Sequence, residues 1–377
     1  MQHIFLIPGF FGFANLGKLK YFAHVREILE ATLERHGCDA EIHYVPTLPT
    51  ASLRRRAARL LDTIAEVTPG NPDSRGDHAI HLVGHSSGGL DARLLASPGV
   101  SLPSKHDPEP YAARIRSVVS IASPHHGTPQ VTLFTSVLGL SLLRVLSVTT
   151  LHSIRLGSVP ISALLALAGT LRAHPRFERP VVTILDQIYR QVLHDFDDVR
   201  QKELEDFFAT TGTEPALVAQ LSPAGMDVFN AATTRRPETR YGCVVAQGRP
   251  PGWRETAAIG LSPTAQAMYA LYRALHELAS EMPDDMLPIL TPAQSRALTR
   301  AFDALPGPTA NDAIVPTLSQ VWGEVIHATW ADHHDVIGHF ADPGHDPPHV
   351  DWLATRSGFN RRRFEQLWER VAMYLIS

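Results

Sequence analysis

Cysteine is almost missing from this chain. Only Cys38 and Cys243 occur, far apart and outside any CxxC spacing, which excludes a disulfide framework and a thiolate zinc site; two ordinary buried thiols are expected. A basic excess is missing too. Lys and Arg number 34 against 38 Asp and Glu, for a net charge of −4 and a pI near 6.6, so the electrostatic capture that nucleic acid requires is absent. No apolar run is long enough to span a bilayer. The longest, VTLFTSVLGLSLLRVLSV from Val131 to Val148, is broken by Arg144 and falls short of a clean span of about 20 residues. The start, MQHIFLIPGFFGF, has no cationic opening and is interrupted by Pro8 and Gly9. It reads as a first strand rather than a signal peptide, so a cytoplasmic location is expected unless a leader precedes this numbering.

What is present is a chain of 377 residues, 44% hydrophobic and 19% charged, able to bury a large core. Up to Ala122, short apolar runs alternate with longer helical patterns, which predicts βαβ units and a parallel sheet. Strands are expected at His3 to Ile7, Ala40 to Tyr44, His78 to Val83 and Ile115 to Ala122. Helices are expected between them at Tyr21 to Arg35, Leu53 to Val67 and Gly88 to Leu95. From about Pro129 to Gly225 the strand signal gives way to leucine-rich helical segments: Leu133 to Leu146, Ile161 to Arg172, Val182 to Phe196 and Gln201 to Ala209. Strand patterns return at Arg240 to Gly248 and Trp322 to Thr329. Further helices are predicted at Pro263 to Ser280, Pro292 to Phe302 and Asn360 to Ile376.

The stretch HLVGHSSGGLDARL, His81 to Leu94, runs an apolar strand through Gly-His-Ser-Ser-Gly into a helix. Gly-x-Ser-x-Gly at such a junction is the nucleophile elbow, a strained turn that lifts the serine hydroxyl above the sheet. Gly84 and Gly88 suit the positions where strand and helix backbones pass closest. The three fixed positions alone would match by chance in roughly one chain of this length in ten; strand before and helix after raise the signal. Ser86 needs a base, and the base an orienting acid later in the chain. Asn311 to Phe340 supplies both types. Asp312 sits in a turn before a strand, and the pair His333 and His334 follows that strand in a loop.

With these residues in place the chain resembles the bacterial true lipases of the α/β-hydrolase superfamily, the group of the Pseudomonas and Burkholderia triacylglycerol lipases. The matching pieces are FLIPGFFGF, GHSSGGLDAR, ASPHHGTP, LSPAGMDVFNAA, NDAIVP and WADHHDV, in order over most of the chain; the stretch between Gln130 and Gln220 has no counterpart. The resemblance implies an α/β-hydrolase fold, a mostly parallel sheet flanked by helices. Residues 1–128 and 226–377 would form its core and 129–225 an inserted helical cap or lid. It implies Ser86 as nucleophile, Asp312 as acid and His333 as base, with His334 beside it as the alternative. The oxyanion hole would use the backbone N–H groups of Ser87 and Phe10. Relatives usually carry His-Gly where this chain has Pro8-Gly9, a change that leaves the next residue's main chain available. His125 and His126, in ASPHHG, would help shape the floor of the site.

The resembled group holds a structural calcium near the base, and Asp335 matches one of its carboxylate ligands. Calcium wants at least one more carboxylate, and upstream only Asp284, Asp285 and Asp303 are found, none at the expected spacing. Asp335 otherwise reads as a helix-start aspartate. No cofactor is needed for the chemistry. The run His333, His334, His339, His345 and His349 has no tight ligand spacing and reads as solvated loop histidines. The apolar cap helices point to medium- or long-chain acyl esters and transient contact with a lipid interface. The reading is therefore a carboxylic ester hydrolase acting through an acyl-enzyme. Its rivals are an acyltransferase, a short-chain esterase or polyester depolymerase, a peptidase or amidase, and a non-catalytic hydrolase-fold binding protein.

Overall fold

The computed structural model describes residues 1–10, 21–48, 50–68, 79–131, 141, 145, 149, 152, 161–172, 178–196, 198, 201, 202, 205, 216–252, 259, 260, 262–344, 351 and 353–377. Its strands are β1 (Gln2–Ile7), β2 (Ala40–Tyr44), β3 (Ala79–His85), β4 (Ile115–Ile121), β5 (Arg240–Gln247) and β6 (Glu324–Trp330). All pair in parallel, in the order β2-β1-β3-β4-β5-β6. The inner strands are buried over nearly their whole length because both faces of the sheet are covered, and they carry buried polar residues such as His81, His85, Ser117 and Ser120 among the apolar ones. The edge strands β2 and β6 each carry an exposed glutamate, Glu41 and Glu324, and charge there discourages pairing with another chain.

Helices α1 (Val25–Arg35), α2 (Leu53–Val67), α3 (Ser87–Ala96) and α4 (Pro108–Ala112) lie among the first four strands. Helices α5 (Ile161–Arg172), α6 (Glu178–Leu193), α7 (Ala216–Gln220) and α8 (Pro223–Ala232) precede β5. Then come α9 (Pro263–Ala279), α10 (Pro292–Phe302) and the final helix α11 (Arg361–Ile376). Several begin on the expected cap chemistry. Ser52 accepts from Arg55 N, Asn360 from Arg363 N, and Thr291 forms a reciprocal box with Gln294, each satisfying an otherwise orphan amide. One core cluster joins Phe5, Leu82 and Val118 to α2 and α3; on the opposite side Leu6, Val83 and Val119 pack with α1 and α11. A smaller cluster seats Leu298 and Phe302 of α10 beside Val245.

The predicted elements are found close to their places, with informative shifts. Helix α1 begins at Val25 rather than Tyr21, because His24 takes a left-handed backbone (φ 61°) and Tyr21 and Phe22 turn inward ahead of it. The helices expected at Leu133 to Leu146 and Gln201 to Ala209 fall largely outside the described residues. Within 129–225, α5 buries Ala163, Leu164 and Leu167 in the same cluster as Met268, Leu271 and Leu275 of α9. The apolar interior thus runs without a break from that segment into the rest of the chain.

After β1 the chain moves outward to β2 and then returns past β1 to β3. The strand order reverses there, and in open sheets of this kind that switch point, beyond the carboxyl ends of β1 and β3, is where a site is expected. The loop starting at Pro8 and the turn at Ser86 meet at that point.

Candidate active site

Ser86 closes β3 with φ 54° and ψ −129°, a conformation that costs an L-residue about 1–3 kcal/mol unless its surroundings impose it. They do. A Cβ on Gly84 would lie 2.3 Å from the Gly88 backbone, and one on Gly88 would lie 2.2 Å from the Ile7 carbonyl oxygen. Neither position tolerates a side chain, so strand and helix are brought together and the serine is forced up at the pivot. Gly9 packs against that pivot: a Cβ there would be 2.6 Å from Ser86 Cβ. The Gly9–Phe10 main chain therefore borders the nucleophile candidate, with Phe10 half-buried against the core. Ser87 opens α3, where the first-turn amides have no partner within the helix.

Asp312 is fully buried and divides its carboxylate between two tasks. Oδ1 accepts from the amides of Ile314 (3.0 Å) and Val315 (2.7 Å), while Oδ2 accepts from Gln320 Nε2 (3.1 Å) and lies 2.8 Å from His333 Nδ1. The turn aspartate and the partner of the histidine are one side chain. A carboxylate at Nδ1 places the imidazole proton there and leaves Nε2 as the basic nitrogen. The structure thus brings Asp312 to His333 and not to His334, whose ring stands at 84° to its neighbour. Among the described residues no hydrogen bond joins Ser86 Oγ to His333, whose ring Nδ1 meets Asp312 and whose main-chain carbonyl meets His85. In substrate-free hydrolases that contact is often long and tightens with substrate.

A buried chain of hydrogen bonds ties the three loops together. The Gly9 amide donates to Tyr21 Oη (2.9 Å), Tyr21 Oη lies 2.6 Å from His85 Nδ1, and His85 Nε2 lies 2.8 Å from the His333 carbonyl oxygen. The direction of donation is fixed by the two ends. The carbonyl can only accept, so Nε2 carries the His85 proton; Nδ1 must then accept from the Tyr21 hydroxyl, which itself accepts from Gly9. Burial, then the adjacent His333, holds the His85 pKa well below its ordinary value, and burial pushes the Tyr21 phenol up. Both stay neutral, as this chain requires. Arg56 braces the same loop from beneath. Its guanidinium, fully buried, donates to the Pro8 carbonyl (2.8 Å) and pairs with the buried Asp91 of α3 at 2.7 Å.

His125 and His126 are placed as structural parts. His125 Nε2 lies 2.8 Å from Ser120 Oγ and its ring stacks on Trp322. Burial lowers the pKa of both, that of His126 to about 4. His333, His334 and His339, expected as solvated loop histidines, are instead buried; His345 and His349 lie outside the described residues. The burial follows from β6 ending under α11, where Trp368 and Phe364 cover Val336 and Ile337.

Asp335 begins a single 3₁₀ turn directly after the histidine pair. Asp332 Oδ1 accepts from the amides of His334 (2.8 Å) and Asp335 (2.9 Å), and Asp335 Oδ2 accepts from the amide of Asp332 (3.0 Å) and the Ser357 hydroxyl (3.3 Å). Each carboxylate spends one oxygen bracing the turn that carries His333. The other oxygens, Asp332 Oδ2 and Asp335 Oδ1, are buried with no hydrogen-bond partner, and Asp351 brings a third carboxylate within 4.8 Å. Burial pushes both acids up, Asp332 to about 7 with a smaller contribution from Asp312, and Asp335 also through repulsion by Asp332 and Asp351. Orphaned oxygens on closely spaced carboxylates fit a divalent cation of the calcium type. Among the described residues the companions of Asp335 are Asp332 and Asp351; Asp284 and Asp285 sit in an exposed turn elsewhere. A D-x-x-D spacing at Asp332 was the sequence signal for the first of them.

A parallel sheet with a serine elbow after β3, an acid before β6 and a histidine after it defines an α/β-hydrolase fold of lipase-like form. No family model matches the chain. A triacylglycerol lipase of Pseudomonas fragi is 29% identical over 126 residues, 33% of this chain and 35% of that protein; the match thus spans about a third of that relative's length. The fold is also that of lipase 1 from Pelosinus fermentans (TM-score 0.52, 15% identity, 99% of this chain and 98% of that one). The Staphylococcus hyicus lipase superposes similarly (TM-score 0.52, 16% identity, 100% and 95%). So does a metagenomic carboxyl esterase (TM-score 0.51, 17% identity, 99% and 75%).

Proposed function

We propose that the chain is a carboxylic ester hydrolase working through Ser86, His333 and Asp312. His333 Nε2 takes the hydroxyl proton as Ser86 Oγ adds to the ester carbonyl. The new oxyanion is held by the amides of Ser87 and Phe10, and Asp312 stabilises the imidazolium. Collapse breaks the ester C–O bond and the alcohol leaves with the proton from His333. Water then repeats the sequence on the acyl-enzyme, releasing the acid and restoring the serine.

The observation that carries this reading is the buried 2.8 Å Asp312–His333 contact, beside a serine forced into a left-handed pivot at the end of β3. Medium- and long-chain acyl groups are the proposed substrates, supported by the apolar α5 and the amphipathic α6, which leave Leu165 and Ile184 exposed. Among the described residues no helix is long and apolar enough to cross a membrane. We also propose that Asp332, Asp335 and Asp351 hold calcium, which would neutralise these acids and fix the turn carrying His333 without entering the reaction.

The test is a chain-length series of nitrophenyl and glycerol esters on wild type and Ser86→Ala, with an added alcohol as competing acceptor and fluorophosphonate labelling mapped by mass spectrometry. Ester turnover lost in the variant, with the label on Ser86, supports the reading. Activity surviving Ser86→Ala would overturn it, and transfer to the alcohol in preference to water would make the chain an acyltransferase. For calcium, chelation that leaves the melting temperature unchanged removes the proposal.

A further inference from the structure

A second group of metal-ligating side chains sits at the opposite end of the sheet. In β2, Glu41 and His43 are two residues apart and so project from the same face. Parallel pairing places His3 of β1 opposite Glu41. His3 Nδ1 and His43 Nε2 lie 3.1 Å apart, and Glu41 Oε2 is 3.8 Å from each. The point equidistant from the corners of this triangle lies about 2.1 Å from all three, the bond length that zinc makes to imidazole nitrogen and carboxylate oxygen.

We propose that His3, Glu41 and His43 form a binding site for a zinc-type divalent cation that clips the edge strand β2 to β1. Two imidazoles and one carboxylate are the donors such ions select. In the metal-free arrangement the two ring nitrogens share a proton, and the cation takes that proton's place. The donors are oriented beforehand: the His43 ring stacks on the fully buried Phe5 at 4.8 Å between centroids, and His3 is itself buried. Access is open, since the Glu41 side chain is 58% exposed, which leaves a coordination position for solvent. His3 and Pro8 are five residues apart on an extended strand, about 17 Å, so the site is remote from the proposed ester chemistry and independent of it.

The test strips the full-length protein with EDTA, removes the chelator and titrates zinc chloride by calorimetry, with melting curves alongside. Wild type is compared with Glu41→Gln, His43→Ala and Asp335→Asn. A partner that only orients a metal ligand is typically worth about 10–100-fold in affinity, so loss of a direct ligand weakens zinc at least that much. One zinc equivalent should vanish or weaken accordingly in Glu41→Gln and His43→Ala, remain in Asp335→Asn, and raise the melting temperature only where it binds. Ester turnover should be the same in His43→Ala as in wild type. Superimposable isotherms for wild type, Glu41→Gln and His43→Ala, or zinc lost only in Asp335→Asn, would overturn the proposal. Glu41→Gln changes an exposed side chain, so a folding defect in His43→Ala does not decide the outcome.

Discussion

Tyr21→Phe removes one oxygen atom and tests whether the hydroxyl at the centre of the site is structural alone or also sets the reaction geometry. The ring, its edge-on contact with Phe22 and the local packing are retained. Two buried groups lose their partner: the Gly9 amide and His85 Nδ1. Each unsatisfied buried group costs about 1–3 kcal/mol, so the variant should lose about 2–6 kcal/mol of stability, less where water enters. Gly9 precedes Phe10, the proposed oxyanion donor, and His85 adjoins Ser86 while holding the His333 carbonyl. Loosening this chain shifts donor and base together. Losing an oxyanion donor outright costs about 10²–10³ in rate, which bounds the effect. The expectation is a fall of about 10-fold or more in kcat and in kcat/KM alike, the signature of an interaction realised in the transition state. The assay is nitrophenyl ester kinetics at a temperature where denaturant titration shows the variant folded. A destabilised enzyme with wild-type kcat/KM would refute the positioning role and leave Tyr21 a structural tyrosine.

Asp312→Asn should keep its fold, because Oδ1 still serves the Ile314 and Val315 amides. The new NH2 would then face His333 Nδ1, drive the imidazole proton to Nε2 and remove the base, so ester turnover should drop by about 10⁴-fold; loss of under tenfold would contradict the assignment. Arg56→Ala leaves Asp91 as an unpaired buried carboxylate and should cost about 3–5 kcal/mol in urea denaturation, whereas an unchanged midpoint would mean that water reaches the pair. Acid should destabilise the protein. Burial lowers the pKa of His81, His276 and His327 to about 4 from 6.5, so between those values the unfolded chain binds more protons than the folded one. Asp91, Asp332 and Asp335, raised by burial, pull the other way in the same window, but burial lowers His85, His125, His126 and His334 as well. Stability should therefore still rise with pH, by up to about 1.4 kcal/mol per pH unit for each histidine that no raised acid offsets; equal unfolding midpoints at pH 4.5 and 6.5 would refute it.

The sheet was legible in the sequence because parallel strands covered on both faces read as short apolar runs, and the helices between them carry apolar residues at helical spacing. Ser86 was legible for a related reason: a turn this tight admits glycine alone at Gly84 and Gly88, and the constraint is local. Asp312 and His333 could be named, but spacing alone does not decide between adjacent histidines, since which ring meets the acid depends on a pairing 21 residues away. Arg56 shows what local reading passes over. It is the last of three consecutive arginines, yet it stands three residues after Leu53 and four before Leu60, on the buried stripe of α2. That position marks it as inward-facing, and a buried arginine demands an acid. Nothing near it in the chain names Asp91, 35 positions on.

These buried polar groups account for how a strained serine can persist. The conformation at Ser86 is imposed by contacts on every side: Gly9 against its Cβ, Gly88 against the Ile7 carbonyl, and the Ser86 amide held by the Ile121 carbonyl at 2.8 Å. The loop supplying Gly9 is held twice, by Arg56 at the Pro8 carbonyl and by Tyr21 at the Gly9 amide. The turn supplying His333 is held three times, by Asp312 at its ring, by His85 at its carbonyl oxygen and by the Asp332–Asp335 brace at the adjoining backbone. Nearly every brace is a polar side chain withdrawn from water, which lowers net stability compared with an apolar core of the same volume. What it supplies is direction, because a hydrogen bond fixes an angle that apolar packing leaves free. A site that must hold donors and base within fractions of an ångström of a developing oxyanion requires that direction. Replacing the braces at Tyr21, Arg56 or Asp332 with apolar residues of matching shape is therefore expected to lower kcat/KM even under conditions where the variant is folded, and an unchanged kcat/KM in the folded variants would refute that role.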